Sequence, residues 1–599
     1  MILPSGKQYL FHYDDTGGLK SVVMPSLARH RFRSLVTLGL YRLIYQPPGD
    51  SGAYVRDFTS DGRLRQVVYP STHRRLTYDY ATSGQLTSLY FDWTDVSYEH
   101  YGSAADLVRR GNLTNRVGAQ FTCSLSYAPN HTLVTRHEAR YSSRQAALLD
   151  AEFTYVYDNF LRVASFGSII GGVVLPECNT TFDAAVGRVT RTKDFVFSYP
   201  RLNRETIRDT NMEITRERDG SGGGRVKTVW FRFNSYVKFS MQVTYDDELQ
   251  RLSHWRRKVG ASDQKSYDYM YDRDGNLVSF DENGDTVWRY DVDENSNVKT
   301  IRRHGREHLS LEINSRNELV TDGQASYIYD ADGFLIQRGA EVFEYNSLGQ
   351  LTHAFKPGHY EIFYHYDPLG RLALRHDILE RDTITQYFYG DVAHRERLTH
   401  IYEHASAELY TLYYDHAGEL FALQKAQQRF YVALDPLGTP IVILNSIGSV
   451  VKQLVYDPLG RVISDSNERF KFDVGFQGGL HDPVPDLVFL AGRVYDPRTG
   501  RFTAPDFRRF VDDGVEQLWQ APEACNHYAY KGVVNQRLMH QLNLMTGASL
   551  TPSGYMTSAH IAYTLASALS SQYNNTVLLK LYVSLSLFES LIACNRHVV

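Results

Sequence analysis

Cysteine is scarce in this chain of 599 residues, where it stands only at Cys123, Cys178, Cys525 and Cys594. Four cysteines so far apart cannot form the dense disulfide framework of a small secreted domain. None has a neighbour at the spacing that a zinc site requires. The sequence therefore excludes a disulfide-rich scaffold, while a single Cys123–Cys178 bridge remains open.

The chain also lacks a dominant charge, because 64 Lys and Arg residues are balanced by 68 Asp and Glu residues. Proteins that attract nucleic acid through their overall field are strongly basic, so we expect no nucleic-acid partner. The basic cluster from Arg251 to Lys258 is interpreted as a solvated strand face, with nucleic-acid contact as the alternative.

The first residues lack a signal peptide, since Met1 to Gly6 leads directly into repeat-like sequence. The protein is then either cytosolic or the later part of a longer chain. Because the opening has the character of a mid-repeat segment, we expect a fragment.

Tyrosine and glycine are abundant instead, with 43 residues each, against 30 phenylalanines and 19 prolines. Aromatic and β-branched residues suit a pleated surface, and glycine marks the turns between strands. The chain is too long for one compact core, because such cores stop growing near about 250–300 residues. We therefore predict an all-β repeat structure whose tyrosines line the wall, ring packed and hydroxyl toward the interior.

One stretch organises the chain: Tyr366-Asp367-Pro368-Leu369-Gly370-Arg371-Leu372. Its skeleton is an aromatic residue, three turn-forming residues, glycine, a polar residue and an aliphatic residue. Nine intact copies indicate an architecture rather than an isolated turn. They are Tyr13–Leu19, Phe58–Leu64, Tyr80–Leu86, Tyr271–Leu277, Tyr329–Leu335, Tyr345–Leu351, Tyr366–Leu372, Tyr414–Leu420 and Tyr456–Val462.

Each position of this skeleton has a physical role. The aromatic residue ends a strand, and the Asp side chain accepts hydrogen bonds from the backbone two residues on. Glycine supplies the positive φ of a tight turn, and the aliphatic residue begins the returning strand. We predict structural turn residues at Tyr366, Asp367, Gly370, Tyr456, Asp457, Gly460, Tyr495, Asp496 and Gly500.

The repeats are clear over residues 1–115, degenerate over 116–260 and most regular over 262–465, where they return about every 16–22 residues. That spacing fits one hairpin per repeat. A continuous run of hairpins leaves an exposed edge unless the sheet closes or spirals on itself. We therefore expect a large, spirally wound, hollow β-barrel or shell.

Motifs that would carry chemistry are not found. The turns Asp272–Gly275 and Asp330–Gly333 resemble the start of a calcium loop but lack its later ligands. His394, His400 and His404 lie close together, yet their spacings fit no helical metal pair. A sugar-processing β enzyme would need carboxylates converging in a cleft, whereas the Asp residues here fall in turns. We predict no catalytic residue, no cofactor and no metal.

After about residue 465 the sequence changes character, with Gly492 to Asp506 followed by Asn526-His527-Tyr528-Ala529-Tyr530. The repeats resemble YD (Rhs) repeats, and this ending resembles the Rhs-associated core that closes such arrays. The family includes bacterial Rhs and Tc-type toxins and the animal teneurins. Over about residues 1–535 the chain is similar to teneurins in particular, at Leu38–Arg42, Phe343–Gly349, Tyr413–Asp415 and Gly475–Leu480.

The resemblance implies a hollow YD shell over residues 1–465, closed by an Rhs-associated core plug over 466–535. Residues 536–599 depart from the family, and we expect a divergent tail. The apolar run from Val577 to Cys594 contains Lys580 and Glu589 and is barely long enough to span a bilayer. An altered gene end or a poorly folded tail is therefore favoured over a membrane helix.

A teneurin shell implies a non-enzymatic, extracellular module for cell adhesion and receptor binding, carried by a single-pass type II membrane protein. Its expected partners are latrophilin-type adhesion receptors and other teneurins, its expected role is neuronal development, and this fragment would insert no segment into the membrane. The alternative is a Rhs or Tc-type toxin cocoon that encloses a C-terminal effector.

Toxin-type relatives cleave themselves after the core with two aspartates, which must meet closely enough for one to stay protonated. Here Asp506 is followed by Phe507-Arg508-Arg509, and Asp512 and Asp513 lack the second motif. We therefore expect no self-cleavage. The resemblance also predicts N-glycosylation of at least one of Asn112, Asn130 and Asn179, which head Asn-x-Thr triplets.

Overall fold

The computed structural model describes residues 1–506 and 525–530, apart from residues 38–39, 50–51, 72, 101–107, 115–118, 130, 143–147, 186, 220–224, 247–250, 380–381, 416 and 491. Within these ranges the regular elements are β-strands and one short 3-10 turn, Phe476–Gly478, so the all-β prediction is confirmed. The same ranges hold no helix with the length and hydrophobicity of a membrane span.

The first 28 strands form one continuous antiparallel sheet, here called the first meander. Successive strands pair with each other along the chain, except that β16 pairs with β14, which also pairs with β15. The strands are β1 (Leu10–Tyr13), β2 (Leu19–Val23), β3 (Arg29–Thr37), β4 (Leu40–Gln46), β5 (Tyr54–Thr59), β6 (Leu64–Val68), β7 (Arg75–Tyr80), β8 (Leu86–Phe91), β9 (Thr94–His100), β10 (Val108–Thr114), β11 (Gln120–Tyr127), β12 (Val134–Ser142), β13 (Ala151–Tyr157), β14 (Val163–Ile170), β15 (Val173–Val174), β16 (Cys178–Phe182), β17 (Val189–Thr192), β18 (Phe195–Arg201), β19 (Arg204–Arg208), β20 (Met212–Arg218), β21 (Val226–Phe233), β22 (Tyr236–Tyr245), β23 (Leu252–Val259), β24 (Asp263–Tyr271), β25 (Leu277–Glu282), β26 (Asp285–Val292), β27 (Val298–Arg303) and β28 (Arg306–Ser310).

A two-stranded sheet, β29 (Glu312–Ile313) with β30 (Leu319–Thr321), leads to a second meander of fourteen strands. A four-stranded sheet, here called the core sheet, follows it. The second meander comprises β31 (Tyr327–Tyr329), β32 (Leu335–Arg338), β33 (Glu341–Tyr345), β34 (Leu351–Lys356), β35 (Tyr360–Tyr366), β36 (Leu372–Asp377), β37 (Thr383–Phe388), β38 (His400–Glu403), β39 (Glu408–Tyr414), β40 (Leu420–Lys425), β41 (Gln428–Leu434), β42 (Pro440–Asn445), β43 (Val450–Tyr456) and β44 (Val462–Asp465). The core sheet comprises β45 (Leu480–Asp482), β46 (Leu487–Leu490), β47 (Arg493–Asp496) and β48 (Arg501–Phe502).

The two meanders differ in burial. Strand β23 of the first alternates from Trp255 to Val259 between buried and exposed residues, as expected of a sheet with one solvated face. Strand β42 of the second is buried at every position from Pro440 to Leu444. Such an uninterrupted apolar run marks a strand that is covered on both faces, and fully burying each of these side chains contributes about 1.5–3 kcal/mol.

Residues far apart in the chain meet in a regular order. The sequence separation between hydrogen-bonded partners decreases from 286 to 190 residues along the chain. Successive pairs are Lys7 with Asp293, Tyr54 with Asp332, Tyr98 with Pro368, Tyr155 with Gly390, Arg216 with Asp415, and Asp263 with Gln453. Later hairpins therefore lie in order against earlier ones, and fewer residues separate the partners toward the end.

Candidate functional site

The repeated turn uses its carboxylate to organise the backbone. In Tyr366–Leu372, Asp367 Oδ1 accepts hydrogen bonds from the backbone N–H groups of Leu369 at 2.9 Å and Arg371 at 3.0 Å. Arg371 Nε donates to Asp367 Oδ2 at 2.7 Å, and Gly370 has a φ of 79°. The Asp side chain is therefore fully engaged inside its own turn.

The copy at Tyr456–Val462 has the same amide contacts but a different charge environment. Asp457 Oδ1 accepts from Leu459 N and Arg461 N, both at 2.9 Å. The Arg461 guanidinium turns instead to Asp486, with Nε 3.5 Å from Oδ2. The Asp457 carboxyl is also buried. Desolvation disfavours its ionised form and raises its pKa to about 7.

The tyrosine that ends a strand is bonded inside the wall. Its hydroxyl donates to the carbonyl of the first residue of the neighbouring strand at 2.7–3.1 Å. The donor and acceptor pairs are Tyr80–Leu64, Tyr127–Val108, Tyr157–Val134, Tyr245–Val226, Tyr271–Leu252, Tyr366–Leu351 and Tyr389–Leu372. These hydroxyls are bonded to the backbone of the neighbouring strand, and the prediction that tyrosine hydroxyls point toward an interior stays a prediction. Phenylalanine cannot make this bond, which explains the choice of tyrosine at these positions.

A second set of tyrosines joins the two meanders. Each lies on a strand of the first meander or, for Tyr69, directly after one, and donates its hydroxyl to a backbone carbonyl in a turn of the second, at 2.5–3.0 Å. The pairs are Tyr54–Asp332, Tyr69–Ser347, Tyr98–Pro368 and Tyr155–Gly390. The turns of the second meander are therefore anchored against the first.

Buried ion pairs reinforce these junctions. Arg216, with a side chain only 3% exposed, pairs with Asp415 and with Glu419 of the second meander. Arg375 Nε lies 2.5 Å from Asp482 Oδ2 on the core sheet, and that oxygen also accepts from Tyr364 at 2.6 Å. Breaking such a pair leaves an uncompensated buried charge and costs about 3–5 kcal/mol.

The predicted turn residues of the core sheet join it to the second meander. Tyr495 donates its hydroxyl to the Leu459 carbonyl at 2.7 Å. Asp496 Oδ2 accepts from Arg338 Nη1 at 2.9 Å, and the Arg338 side chain is 1% exposed. Gly500 has a φ of 71°. Tyr495 and Asp496 thus hold the core sheet against the turn between β43 and β44 and against the end of β32.

A buried chain of three polar side chains ties residue 527 to the start of the first meander. His527 Nδ1 lies 3.3 Å from the Asp506 carbonyl, which fixes it as a donor and leaves Nε2 to accept from Tyr45 Oη at 2.9 Å. The Tyr45 hydroxyl then accepts from His30 Nδ1 at 2.8 Å. Burial lowers the pKa of His30 to about 3, with the neighbouring His527 adding to the shift. Burial likewise lowers the pKa of His527 to about 4, and Arg493 and Arg56 lower it further.

The histidines and acidic turns singled out from the sequence do not converge. His394 Nδ1 contacts Asp391, His400 Nδ1 contacts Thr399, and His404 Nε2 contacts Gln386. The turn carboxylates act at the junctions: Asp274 accepts from Ser5 N, and Asp332 accepts from Ser71 N. Among the residues that the structure describes, no cluster of three metal-ligating side chains forms.

The open question of a Cys123–Cys178 bridge is answered. Cys123, Cys178 and Cys525 are free thiols, and Cys123 Sγ lies 3.2 Å from His137 Nε2. Burial raises the pKa of the Cys123 thiol to about 12 and lowers that of His137 to about 3. The two groups therefore form a neutral packing contact and not a reactive thiolate pair.

Of the aspartates considered for self-cleavage, the structure describes Asp506. Asp506 Oδ2 lies 3.4 Å from Arg493 Nη1, while Asp512 and Asp513 fall outside the described residues.

The glycosylation candidates differ in their exposure to solvent. Asn179 is exposed on β16, whereas Asn112 is half-buried and accepts from Thr122 Oγ1 at 3.1 Å; Asn130 lies outside the described residues.

The Teneurin YD-shell family profile matches residues 1–535. The chain belongs to this family. Its sequence is 34% identical to human Teneurin-4 over 530 residues, which cover 88% of this chain and 18% of that protein. It is 34% identical to chicken Teneurin-1 over 536 residues, which cover 89% of this chain and 19% of that protein. It is 28% identical to Drosophila Teneurin-m over 504 residues, which cover 84% of this chain and 18% of that protein. The chain thus spans about a fifth of the length of these teneurins.

Solved toxin structures are also similar. The crystal structure of TcdB2-TccC3-Cdc42 has a TM-score of 0.48 and 12% identity, covering 95% of this chain and 34% of that one. The structure of the Photorhabdus luminescens Tc holotoxin pore has a TM-score of 0.44 and 11% identity, and the match covers 88% of this chain and 33% of that one. The assignment to the teneurin family rests on the sequence matches.

The contact between a shell turn and the core predicts unequal effects of two glycine substitutions. A β-carbon on Gly460 would lie 2.3 Å from Phe476 Cγ, whereas one on Gly284 would meet nothing within 4 Å. Both glycines have a similar backbone, with φ of 96° and 88°. Gly284→Ala should cost about 1–2 kcal/mol from backbone strain alone, and Gly460→Ala about 2–3 kcal/mol more. Urea denaturation of the two variants measures the difference, and equal losses would mean that Phe476 does not pack on this turn.

The buried histidine chain predicts acid sensitivity. His30 and His527 are held neutral when folded but take up protons near pH 6.5 when unfolded, so their contribution is complete above pH 6.5 and is lost as the pH falls toward 4. At pH 5 each histidine should cost about 1–2 kcal/mol relative to pH 7. The quantity to measure is the fall in Tm between pH 7 and pH 5, for wild type and for His527→Gln.

The pKa of Asp457 is raised on folding, so this group stabilises the folded state at acidic pH and opposes the effect of the histidines. The informative quantity is therefore the difference between variants in the fall of Tm from pH 7 to pH 5. The fall in Tm should be smaller in His527→Gln than in wild type. His12→Gln on exposed β1 serves as the control and should keep the wild-type fall. An unchanged fall in His527→Gln would show that the buried chain does not set the acid response.

The exposure of the sequons ranks the glycosylation sites. Asn179 and Thr181 are both exposed on β16, so we expect Asn179 to be occupied when the chain passes through a secretory pathway. Half-buried Asn112, whose side chain is already hydrogen-bonded, should be modified less. Peptide mass spectrometry of secreted protein, with Asn179→Gln as the control, reports the occupancy. Unmodified peptides at all of Asn112, Asn130 and Asn179 would contradict the expectation.

Proposed function

We propose that this chain is the extracellular shell of a teneurin-type membrane protein and acts by binding other cell-surface proteins, without catalysis. The observation that carries the proposal is the YD-shell family match over residues 1–535. The site geometry is consistent with it, because the acidic turn residues are engaged in turns and junctions rather than in a cleft.

The same contacts support the architecture that we infer for the module. The decreasing separation between partners along the chain is what a spirally wound sheet with a narrowing circumference would give. We propose that the spiral encloses a hollow interior over residues 1–465 and that residues 466–535 plug one end. Arg375–Asp482, Arg338–Asp496 and the Tyr495–Leu459 bond would fasten the plug.

A wall whose turns are fastened by these contacts presents a pre-organised surface, which suits adhesion. Interfaces with pre-organised surfaces lose little conformational entropy on binding, and their affinity concentrates in a few aromatic and arginine anchors. We propose latrophilin-type adhesion receptors and other teneurins as the partners, and cell–cell recognition in neuronal development as the role.

Binding to cells tests this function. The complete 599-residue chain, purified and fluorescently labelled, should bind cells that express a latrophilin-type receptor or a full-length teneurin, and should not bind untransfected cells. The destabilised variant Arg216→Ala, which leaves Asp415 unpaired, should lose binding together with its folded structure. Failure of folded wild-type chain to bind either cell type would refute the receptor-binding role.

The rival toxin cocoon makes a different prediction about the chain itself. A cocoon would release a C-terminal piece, whereas we expect one intact band after expression, because Asp506 lies against Arg493 and the sequence lacks the second aspartate motif. A fragment ending near residue 530 that disappears in Asp506→Asn would establish the toxin-type function instead.

A further inference from the structure

A small cavity lies where the two meanders meet the segment that leads into the core sheet. Its volume is about 40 Å³. Strands β23, β24 and β25 form one wall, the turns that follow β41 and β43 contribute to another, and Phe476 also lines the space. A cavity of this size holds about three water molecules, or one small ion with fewer waters, whereas sites for organic ligands occupy about 300–1,000 Å³.

The charged groups that line this cavity are mostly acidic. Asp435 and Asp457 lie in the two turns, and Arg257 comes from β23. The Arg257 guanidinium is held by a carboxylate outside the lining, since its Nη1 lies 3.1 Å from Asp263 Oδ2. The lining therefore contains two carboxylates and one arginine whose charge another carboxylate already balances.

Asp457 is a buried carboxylate without a cationic partner. Its Oδ1 accepts hydrogen bonds from two amides of its own turn. In the matching turn Arg371 donates to Asp367 Oδ2, whereas Arg461 turns to Asp486. Among the residues that the structure describes, the Asp457 carboxylate makes no ion pair and its Oδ2 accepts no hydrogen bond. Buried charges in proteins are paired or coordinate metal ions, so this group calls for a cation.

A buried hydroxyl beside the same cavity also lacks a partner. Tyr290 on β26 is 3% exposed, and within the described part of the chain its Oη makes no hydrogen bond. Its electrostatic neighbours are Asp457 and Tyr269, which both line the cavity. Because buried polar atoms are nearly always hydrogen-bonded, an unpaired hydroxyl at this place indicates a bound water molecule or ion.

We propose that this cavity binds one monovalent alkali cation, sodium or potassium, with Asp457 Oδ2 and Tyr290 Oη among its ligands. The carboxylate supplies the opposite charge, the hydroxyl supplies a neutral oxygen, and water fills the remaining positions. Trp255 and Tyr269 also line the space, and aromatic rings attract cations. The ion joins the first meander, the second meander and the segment at Phe476 at one point.

The ligand set and the volume favour a monovalent ion over other occupants. Calcium takes about six to eight oxygen ligands, commonly from several carboxylates, whereas the described residues hold no cluster of three metal-ligating side chains. An organic cation does not fit a volume near 40 Å³. Water alone would satisfy the Tyr290 hydroxyl but would leave the charge of Asp457 unbalanced.

Thermal unfolding of the complete chain tests the proposal. At pH 8, where the Asp457 carboxyl is ionised, the Tm is measured in about 150 mM sodium chloride, potassium chloride or N-methylglucamine chloride. The Tm should be about 1–2 °C higher in at least one alkali salt, because an ion that binds only the folded chain stabilises it, and the N-methylglucamine ion is too large to enter. Equal Tm values in the three salts would show that the cavity holds water alone, and would overturn the proposal.

Three variants assign this salt-specific rise in Tm to the cavity. Asp457→Asn keeps an oxygen for the turn amides but removes the charge, so it should abolish the rise, and Tyr290→Phe should reduce it. The matched control is Asp14→Asn in an exposed turn of the same kind, where Oδ1 accepts from Gly18 N at 2.8 Å, and it should keep the full rise. A folded Asp457→Asn variant that keeps the rise would contradict the assignment.

Crystals locate the ion directly. Rubidium is an alkali cation with a measurable anomalous signal, so crystals of the wild-type chain soaked in rubidium chloride should show an anomalous peak between Asp457 and Tyr290. The same soak of Asp457→Asn crystals should show no peak there. Absence of the peak from wild-type crystals would overturn the proposal.

Discussion

The structure depends on one hydrogen-bonding arrangement, in which an Asp or Asn side-chain oxygen accepts the backbone N–H groups two and four residues on. Hairpin turns expose amides that the ladder cannot pair, and each unmet amide in a buried turn would cost about 1–3 kcal/mol. The carboxylate meets two of them at once and allows a turn to be buried against another strand. The arrangement recurs at Asp14, Asp158, Asp293, Asn314, Asp330, Asn346, Asp367, Asp415, Asp435, Asn445 and Asp457.

Once turns are satisfied internally, they can serve as packing units. The carbonyls that remain at their tips accept tyrosine hydroxyls from the first meander, as Pro368 does from Tyr98. Each such bond fixes the position of one hairpin against a strand that lies 235–278 residues earlier. The order of partners therefore follows from the order of repeats, and a large β structure forms from contacts that are each local to one turn. Buried pairs such as Arg216–Asp415 then make a wrong register costly, because a shifted hairpin would leave a charge unpaired.

The sequence predicts the strand class and the turns that carry both aromatic and glycine, because these depend on local conformational preference. It misses turns in which another residue takes the glycine position. Ser296, Asn317 and Leu161 adopt φ values of 64°, 61° and 64°, and the Asp or Asn acceptor three residues earlier keeps each turn formed. The long-range partners are not predictable from one sequence, since a tyrosine that binds the neighbouring strand and one that binds a turn 270 residues away look alike. The ion pairs of Arg429 with Asp194 and Asp209 likewise depend on which hairpins meet, and not on any local motif.

This use of side chains also limits what the turns can offer to a ligand. Carboxylates in the repeated turns are bound to amides, and those at the junctions are bound to arginines or backbone groups, so few acidic groups remain for chemistry. A surface that recognises ligands must then be built from residues that point away from the turns.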